Sequence, residues 1–141
     1  MEFLIDTNVL SEMRKGARAN PGVRDWFSQV DGDRLYVSVL TLGEIRQGIE
    51  QIRRRDPTAA QSLQHWLHRL ETDNDQHILS ITRMIADRWG RLNVPDKLPT
   101  IDGLLAATAL VHDLTLVTRN VRDVERSGVK RLNPFSETAG E

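Results

Sequence analysis

The sequence predicts an α/β fold: a three-layer α/β/α sandwich around a central, mainly parallel sheet. Three observations carry that expectation. Short apolar or β-branched runs recur along the chain, and one or two segments with helical periodicity separate each run from the next. Such alternation demands crossover connections, which set neighbouring strands parallel and cover both faces of the sheet. The third observation is length. A chain of 141 residues suits a single domain with its own core, expected at residues 1–135 with a flexible polar tail at 136–141. No repeat and no linker interrupts it.

The elements follow in order. Phe3-Leu4-Ile5 is a short apolar run stopped by Asp6-Thr7-Asn8, which reads as a buried strand. Asn20-Pro21 pairs an N-cap residue with proline at the first helical position, and Val23, Trp26, Phe27 and Val30 follow at helical spacing. Leu35–Val39 is β-branched and aromatic, a second strand. Thr41-Leu42-Gly43-Glu44 has the capping-box pattern and opens a helix with Ile45, Ile49 and Ile52 on one face. Asp56-Pro57 opens another, with Ala60, Leu63, Leu67 and Leu70 in register. His77–Ile81 is a weaker third strand, and Met84–Leu92 a helix with Ile85, Trp89 and Leu92 inward. Pro99-Thr100 caps a strongly apolar helix, Ile101–His112. Thr115–Thr118 is a fourth strand, and Lys130–Leu132 a short fifth.

Composition excludes several function classes. Apolar residues make up 39% and charged residues 28%, as in ordinary globular proteins rather than disordered ones. The absence of cysteine removes disulfide scaffolds, thiolate zinc sites and thiol nucleophiles. The most apolar window, Gly103–Val111, is far shorter than the ~20 residues of a membrane span. No signal-peptide pattern opens the chain, so a cytoplasmic protein without membrane association is expected. The net charge of −1 argues against a uniformly basic nucleic-acid coat, although sixteen of the 19 basic residues are arginine, the side chain suited to bidentate phosphate contacts. There is no glycine-rich phosphate loop and no nucleophile elbow. His65 and His68 are spaced to chelate zinc from one helix but have no third ligand in view. Trp26, Trp66 and Trp89 sit among apolar helix faces, where core packing explains them better than base stacking.

In an open parallel sheet, function gathers beyond the carboxyl ends of the strands. Asp6 follows the first strand. Glu44 lies in the helix after the second, and Asn120 and Asp123 follow the fourth. Asp102 opens the helix that feeds the fourth strand, and that helix starts at the same edge if it runs back antiparallel to the sheet. Each has a plain explanation on its own: Asp6 as a turn acid, Glu44 as the reciprocal partner of the Thr41 amide, Asp102 as an anion on a helix N-terminus, Asp123 as a loop acid or cap. Together they are four acids, separated by 38, 58 and 21 residues, that one topology brings to one edge. Two carboxylates about 4 Å apart repel by roughly 4 kcal/mol at an effective dielectric near 20. Such a nest calls for protonation or a cation, and a hard ion with oxygen ligands, Mg²⁺ or Mn²⁺, suits it.

Four segments in this order resemble the PIN-domain ribonucleases, and among them the VapC-type toxins of the FitB-like branch. They are Phe3-Leu4-Ile5-Asp6-Thr7-Asn8-Val9-Leu10-Ser11-Glu12, then Ser38 to Ile49 with Glu44, then Pro99 to Ala109 with Asp102, then Leu116-Val117-Thr118-Arg119-Asn120-Val121-Arg122-Asp123. The resemblance covers nearly the whole chain and is loosest at about residues 50–98. It implies a metal-dependent endoribonuclease, the toxin of a toxin–antitoxin pair. Asp6, Glu44 and Asp102 match the family's three most regular acids. At the fourth position many relatives carry Asp directly after Thr-Arg, whereas this chain has Asn120 with Asp123 three residues on. Metal ligands are therefore expected among Asp6, Asp102, Glu44, Asp123 and Asn120, with Asn8 and Thr118 orienting the acids. Arg119, Arg122 and Arg46 are the expected contacts to the RNA backbone. The resemblance further implies a small VapB-like antitoxin, a homodimer, and contact with operator DNA only through the antitoxin. Two readings compete: a non-catalytic PIN-fold component of a DNA-binding regulatory complex, kept open by Asn120, and a receiver-like regulatory domain, disfavoured because none of Lys15, Lys97 and Lys130 is obviously placed at the edge where the acids gather.

Overall fold

In the computed structural model, which describes residues 1–137, Phe3–Ile5 forms β1, buried along its whole length and paired on both sides. Its neighbours are β2 (Leu35–Ser38), with Phe3 opposite Leu35, and β4 (Thr115–Val117), with Ile5 opposite Val117. β3 (Ile78–Leu79) extends the sheet beyond β2, and β5 (Arg131–Leu132) beyond β4. The order is β3-β2-β1-β4-β5, and every pairing is parallel. The chain therefore winds outward from β1 in one direction and then in the other, which places the topological switch between β1 and β4.

Alternation along the strands sends successive side chains to opposite faces. Phe3, Ile5, Val37 and Val117 face one layer, where they meet Val9 and Leu10 of α1 (Thr7–Met13), Val23 of α2 (Pro21–Gln29), Ile45 and Ile49 of α3 (Val39–Arg53), and Ala60 and Leu67 of α4 (Pro57–Asp73). Leu4 and Leu116 face the other, against Leu105, Ala106 and Ala109 of α6 (Thr100–His112), with α5 (Arg83–Leu92) packed on α6. These are the three layers expected. Each core is built mainly from buried aliphatic side chains, and a fully buried Val, Leu or Ile is worth about 1.5–3 kcal/mol over an exposed one.

The caps explain most boundaries. The Asn20 side chain accepts from Gly22 and Val23 at the start of α2, Asp56 from Ala59 at α4, and Thr82 from Ile85 at α5. Two expectations fail here. Helix α1 had no counterpart in the sequence reading, and α3 begins at Val39 rather than after Thr41. Ser38 is its N-cap, accepting from the Leu40 amide at 3.0 Å. The Thr41–Glu44 capping box therefore does not form. Thr41 is completely buried, and its hydroxyl has no partner among the described residues. The third strand is also shorter than His77–Ile81, and Val39 belongs to a helix.

The tryptophans pack as expected. Trp26 meets Phe3 edge-on at 5.3 Å, Trp66 leans on the first core, and Trp89 lies against Gly103. His65 and His68 are exposed on α4. No helix among the described residues is long and apolar enough to cross a membrane. The expected tail at 136–141 falls largely outside the described residues; its first residue, Ser136, is hydrogen-bonded to Asn20 at the start of α2.

Candidate active site

Asp6 sits where β1 ends and α1 begins, at the topological switch. Its amide donates to Val117 of β4 at 2.9 Å. Its side chain is the N-cap of α1: Oδ1 accepts from the Thr7 amide at 2.7 Å, and Oδ2 accepts from the Thr118 hydroxyl at 2.7 Å. Only 5% of the residue is exposed. Burial pushes the carboxyl above its ordinary value, and the bonds from Thr118 and Thr7 partly offset that rise. Each carboxylate oxygen has two lone pairs, so both keep capacity for a further contact.

Thr118 follows β4 and serves twice. Its hydroxyl donates to Asp6 and accepts from the Asn120 amide at 3.0 Å. Asn8, expected to orient an acid, instead accepts from the Arg119 amide at 3.2 Å. It fixes the loop after β4, and so reaches Asn120 through the backbone. Glu44, in the second turn of α3, is half-buried and accepts from the Thr7 hydroxyl at 2.5 Å. Thr7 is thus a site residue the sequence reading missed. Its amide holds Asp6 and its hydroxyl holds Glu44, which ties α1 to α3 across the edge.

Asp102 lies in the first turn of α6, half-buried. Its carboxyl is pushed up to about 6, first by burial and then by the negative charges of Asp6, Asp123 and Glu44, while a hydrogen bond from the Asn120 side chain opposes the rise. The four acids therefore converge on one edge, close enough for their charges to act on Asp102. The Asn120 side chain acts on that acid by lowering its pKa; Asp123, exposed in the 3-10 segment Val121–Ser127, adds charge. They do not form a ready coordination cage: among the described residues no three His, Asp or Glu side chains approach closely enough to hold one ion. Glu44 is drawn to Thr7 and Asp6 to Thr118. In chemistry and charge the set fits a hard divalent cation, being all oxygen and in need of positive charge.

The arginines divide. Arg119 and Arg122 are exposed on the loop after β4, and the Arg119 guanidinium lies 4.5 Å from the Phe135 ring centre. Arg46 is not brought to the acids. It pairs with Glu50 at 3.2 Å and Gln64 at 3.3 Å, and two positions along an α-helix turn it about 200° from Glu44.

A parallel sheet with carboxylates near its switch point defines an acidic class of site, with oxygen groups of the kind that can hold a cation. The chain belongs to the PIN domain family, whose model matches residues 3–127. Among its relatives it is similar to the plasmid stability protein StbB of Pseudomonas syringae pv. tomato, with 28% identity over 94% of this chain and 98% of that one. It is similar to the VapC ribonuclease Y4jK of Sinorhizobium fredii, with 28% identity over 94% and 97%, and to the toxin FitB of Neisseria gonorrhoeae, with 26% over 96% and 99%. Among solved structures it resembles FitAB bound to an IR36 DNA fragment, with a TM-score of 0.84 and 23% identity over 99% of each chain. FitAcB from Neisseria gonorrhoeae gives 0.79 and 26%, over 94% and 97%.

Proposed function

We propose that the chain is the endoribonuclease toxin of a toxin–antitoxin pair, hydrolysing RNA phosphodiester bonds with Mg²⁺ or Mn²⁺. The observation that carries this reading is Asp102, raised to about 6 amid the charges of Asp6, Asp123 and Glu44 at the switch point of a PIN-family sheet. The names of relatives, a VapC ribonuclease and the toxin FitB, support it.

Asp6, Asp102 and Asp123 would hold the ion, with the Asn120 carbonyl as a neutral ligand. When bound, the ion lowers the pKa of a water and offsets negative charge on the phosphoryl group. The residues of the chain do the rest. Thr7 and Thr118 hold both oxygens of Asp6 in place. Thr7 also fixes Glu44, which orients the attacking water. Arg119 and Arg122 take the RNA backbone, so that affinity falls with salt.

The partner is a small VapB-like antitoxin, a reading supported by the FitAB and FitAcB complexes, with operator DNA reached through that antitoxin and the toxin itself a homodimer. An apolar cavity of about 280 Å³ between α1, α2 and α4, bordered by Leu10, Met13, Phe27 and Trp66, suits an apolar segment of that partner.

Cleavage of single-stranded RNA by purified protein tests the proposal. Cleavage with Mg²⁺ or Mn²⁺, loss in chelator, and loss in folded Asp6→Asn and Asp102→Asn variants support it. Equal cleavage by either variant refutes the site. A second reading, a non-catalytic regulatory component, is favoured by Asn120, a neutral side chain beside Asp102 that brings no charge to a cation. An inactive wild-type protein that still binds operator DNA with its antitoxin would establish it.

A further inference from the structure

The family match ends at residue 127, yet the chain beyond it returns to the acidic edge. Residues 133–136 are strapped to the N-terminus of α2. The Ser136 amide donates to Asn20 Oδ1 at 2.9 Å, the Asn20 side-chain amide donates to the Ser136 carbonyl at 2.9 Å, and the Gly22 amide donates to the Ser136 hydroxyl at 3.0 Å. The fit at Gly22 leaves no room for a side chain: a Cβ there would stand 2.4 Å from the Pro134 carbonyl oxygen and 2.5 Å from the Ser136 nitrogen. Asn20 is itself held, its amide donating to Glu12 at 2.8 Å. Asn133 accepts from the Phe135 amide at 3.0 Å, and the ring packs on the first core.

This strap puts Phe135 beneath Arg119. The guanidinium carbon lies 4.5 Å from the ring centre, while the Arg119 amide is fixed by Asn8. Among the described residues the guanidinium donates no hydrogen bond and makes no ion pair within 4 Å. An arginine side chain ordinarily carries about 2 kcal/mol of rotamer entropy, and here the ring restrains it with its donors unbonded, its charge acting on the Glu12 carboxylate without an ion pair. The Arg119 backbone leads directly into Asn120, whose amide is fixed by Thr118, the residue that also holds Asp6. A cation ordered in advance, with free donors, on the loop that carries those residues, has the chemistry of a phosphate anchor.

From this geometry we infer that Phe135 is a positioning residue. The strap at 133–136 holds its ring under the Arg119 guanidinium and so presets that arginine to bind a backbone phosphate of the RNA strand entering the site. The inference rests on the ribonuclease reading above and extends it to a segment outside the family match.

The test is binding of a labelled single-stranded oligoribonucleotide to the full chain in chelator, so that nothing is cleaved, across a salt series. The variants are Arg119→Gln, Arg119→Lys and Phe135→Leu, each checked for an unchanged melting temperature. R119Q should lower the slope of log K against log salt by about 0.7, one phosphate contact to a single strand. F135L should keep the wild-type slope, because the charge remains, yet bind about threefold to fivefold more weakly, the scale of an exposed cation–π contact. R119K, which keeps the charge but loses the planar fork, should resemble F135L. Gly22→Ala, whose Cβ collides with Pro134 and Ser136 of the strap without touching Phe135 or Arg119, should reproduce the F135L loss. F135L binding as tightly as wild type overturns the inference, as does R119Q with an unaltered slope. Wild-type protein that cleaves no single-stranded RNA with Mg²⁺ or Mn²⁺ overturns the ribonuclease reading itself, a result distinct from either of those.

Discussion

Replacing Asp102 with asparagine should stabilise the metal-free protein, and only above about pH 4. In the folded chain this carboxyl titrates near 6, against 3.8 for the ordinary group. A carboxyl raised on folding binds its proton more tightly in the native state. Its contribution is intact below pH 3.8, is lost as pH climbs to about 6, and is flat beyond. Two pH units correspond to about 3 kcal/mol. Asp102 is only half-buried, so solvent screening reduces that to about 1–2 kcal/mol. For a chain of this length, such a change moves the melting temperature by about 3–8 °C. The assay is a set of thermal melts in chelator from pH 4 to pH 8. Wild type and Asp102→Asn should melt together at the acid end and diverge, with the variant higher, before levelling above pH 6. A gap that does not change with pH, or a variant that melts lower at pH 7.5, would refute the claim that the neighbouring acids act on Asp102.

The other expectations follow from single contacts. Adding Mn²⁺ at pH 7.5 should raise the wild-type melting temperature through binding to the native state, and raise that of Asp102→Asn less; equal shifts would place the ion elsewhere. Thr7→Val removes the hydroxyl that Glu44 accepts from and should cost about 1–2 kcal/mol in a denaturant titration, with Thr7→Ser restoring most of it. Leu105→Ala empties a fully buried position of α6 and should cost about 2–5 kcal/mol in the same titration. Gly22→Ala should open the segment at 133–136 to protease while the rest of the chain stays resistant, since its Cβ collides with the Pro134 carbonyl.

Much of this architecture is legible in the residue order. The spacing of strands and helices implied a parallel sheet, and a parallel sheet implied that Asp6, Glu44, Asp102 and Asp123 share an edge. Periodicity and caps placed α2, α4 and α6 well because Asn20-Pro21, Asp56-Pro57 and Pro99-Thr100 mark their starts chemically. Helix α1 escaped notice because seven residues, Thr7–Met13, give two turns and no apolar period to count. The capping box was misread because Ser38 and Thr41 are both capable caps, and the sheet decides between them: Ser38 ends β2 opposite Leu79 of β3, so the helix starts at once. That choice carries Glu44 beyond reach of the Thr41 amide and toward Thr7, a contact between residues 37 apart that local pattern does not encode. Arg46 lies near Glu44 in sequence, but the turn of the helix between them sets its side chain against Glu50 and Gln64.

The close packing at Gly103 has one more consequence. A Cβ there would press on Leu98 at 3.2 Å and on the Trp89 ring at 3.3 Å, so α6 approaches its neighbours through a gap where no side chain stands. Asp102 is the next residue toward the helix start. The acid's location is therefore inherited from how tightly bulky groups on α5 and the preceding loop close around that bare backbone. Substitutions well away from the charged edge, at Trp89 or Leu98, become a means of tuning reactivity without touching a single carboxylate.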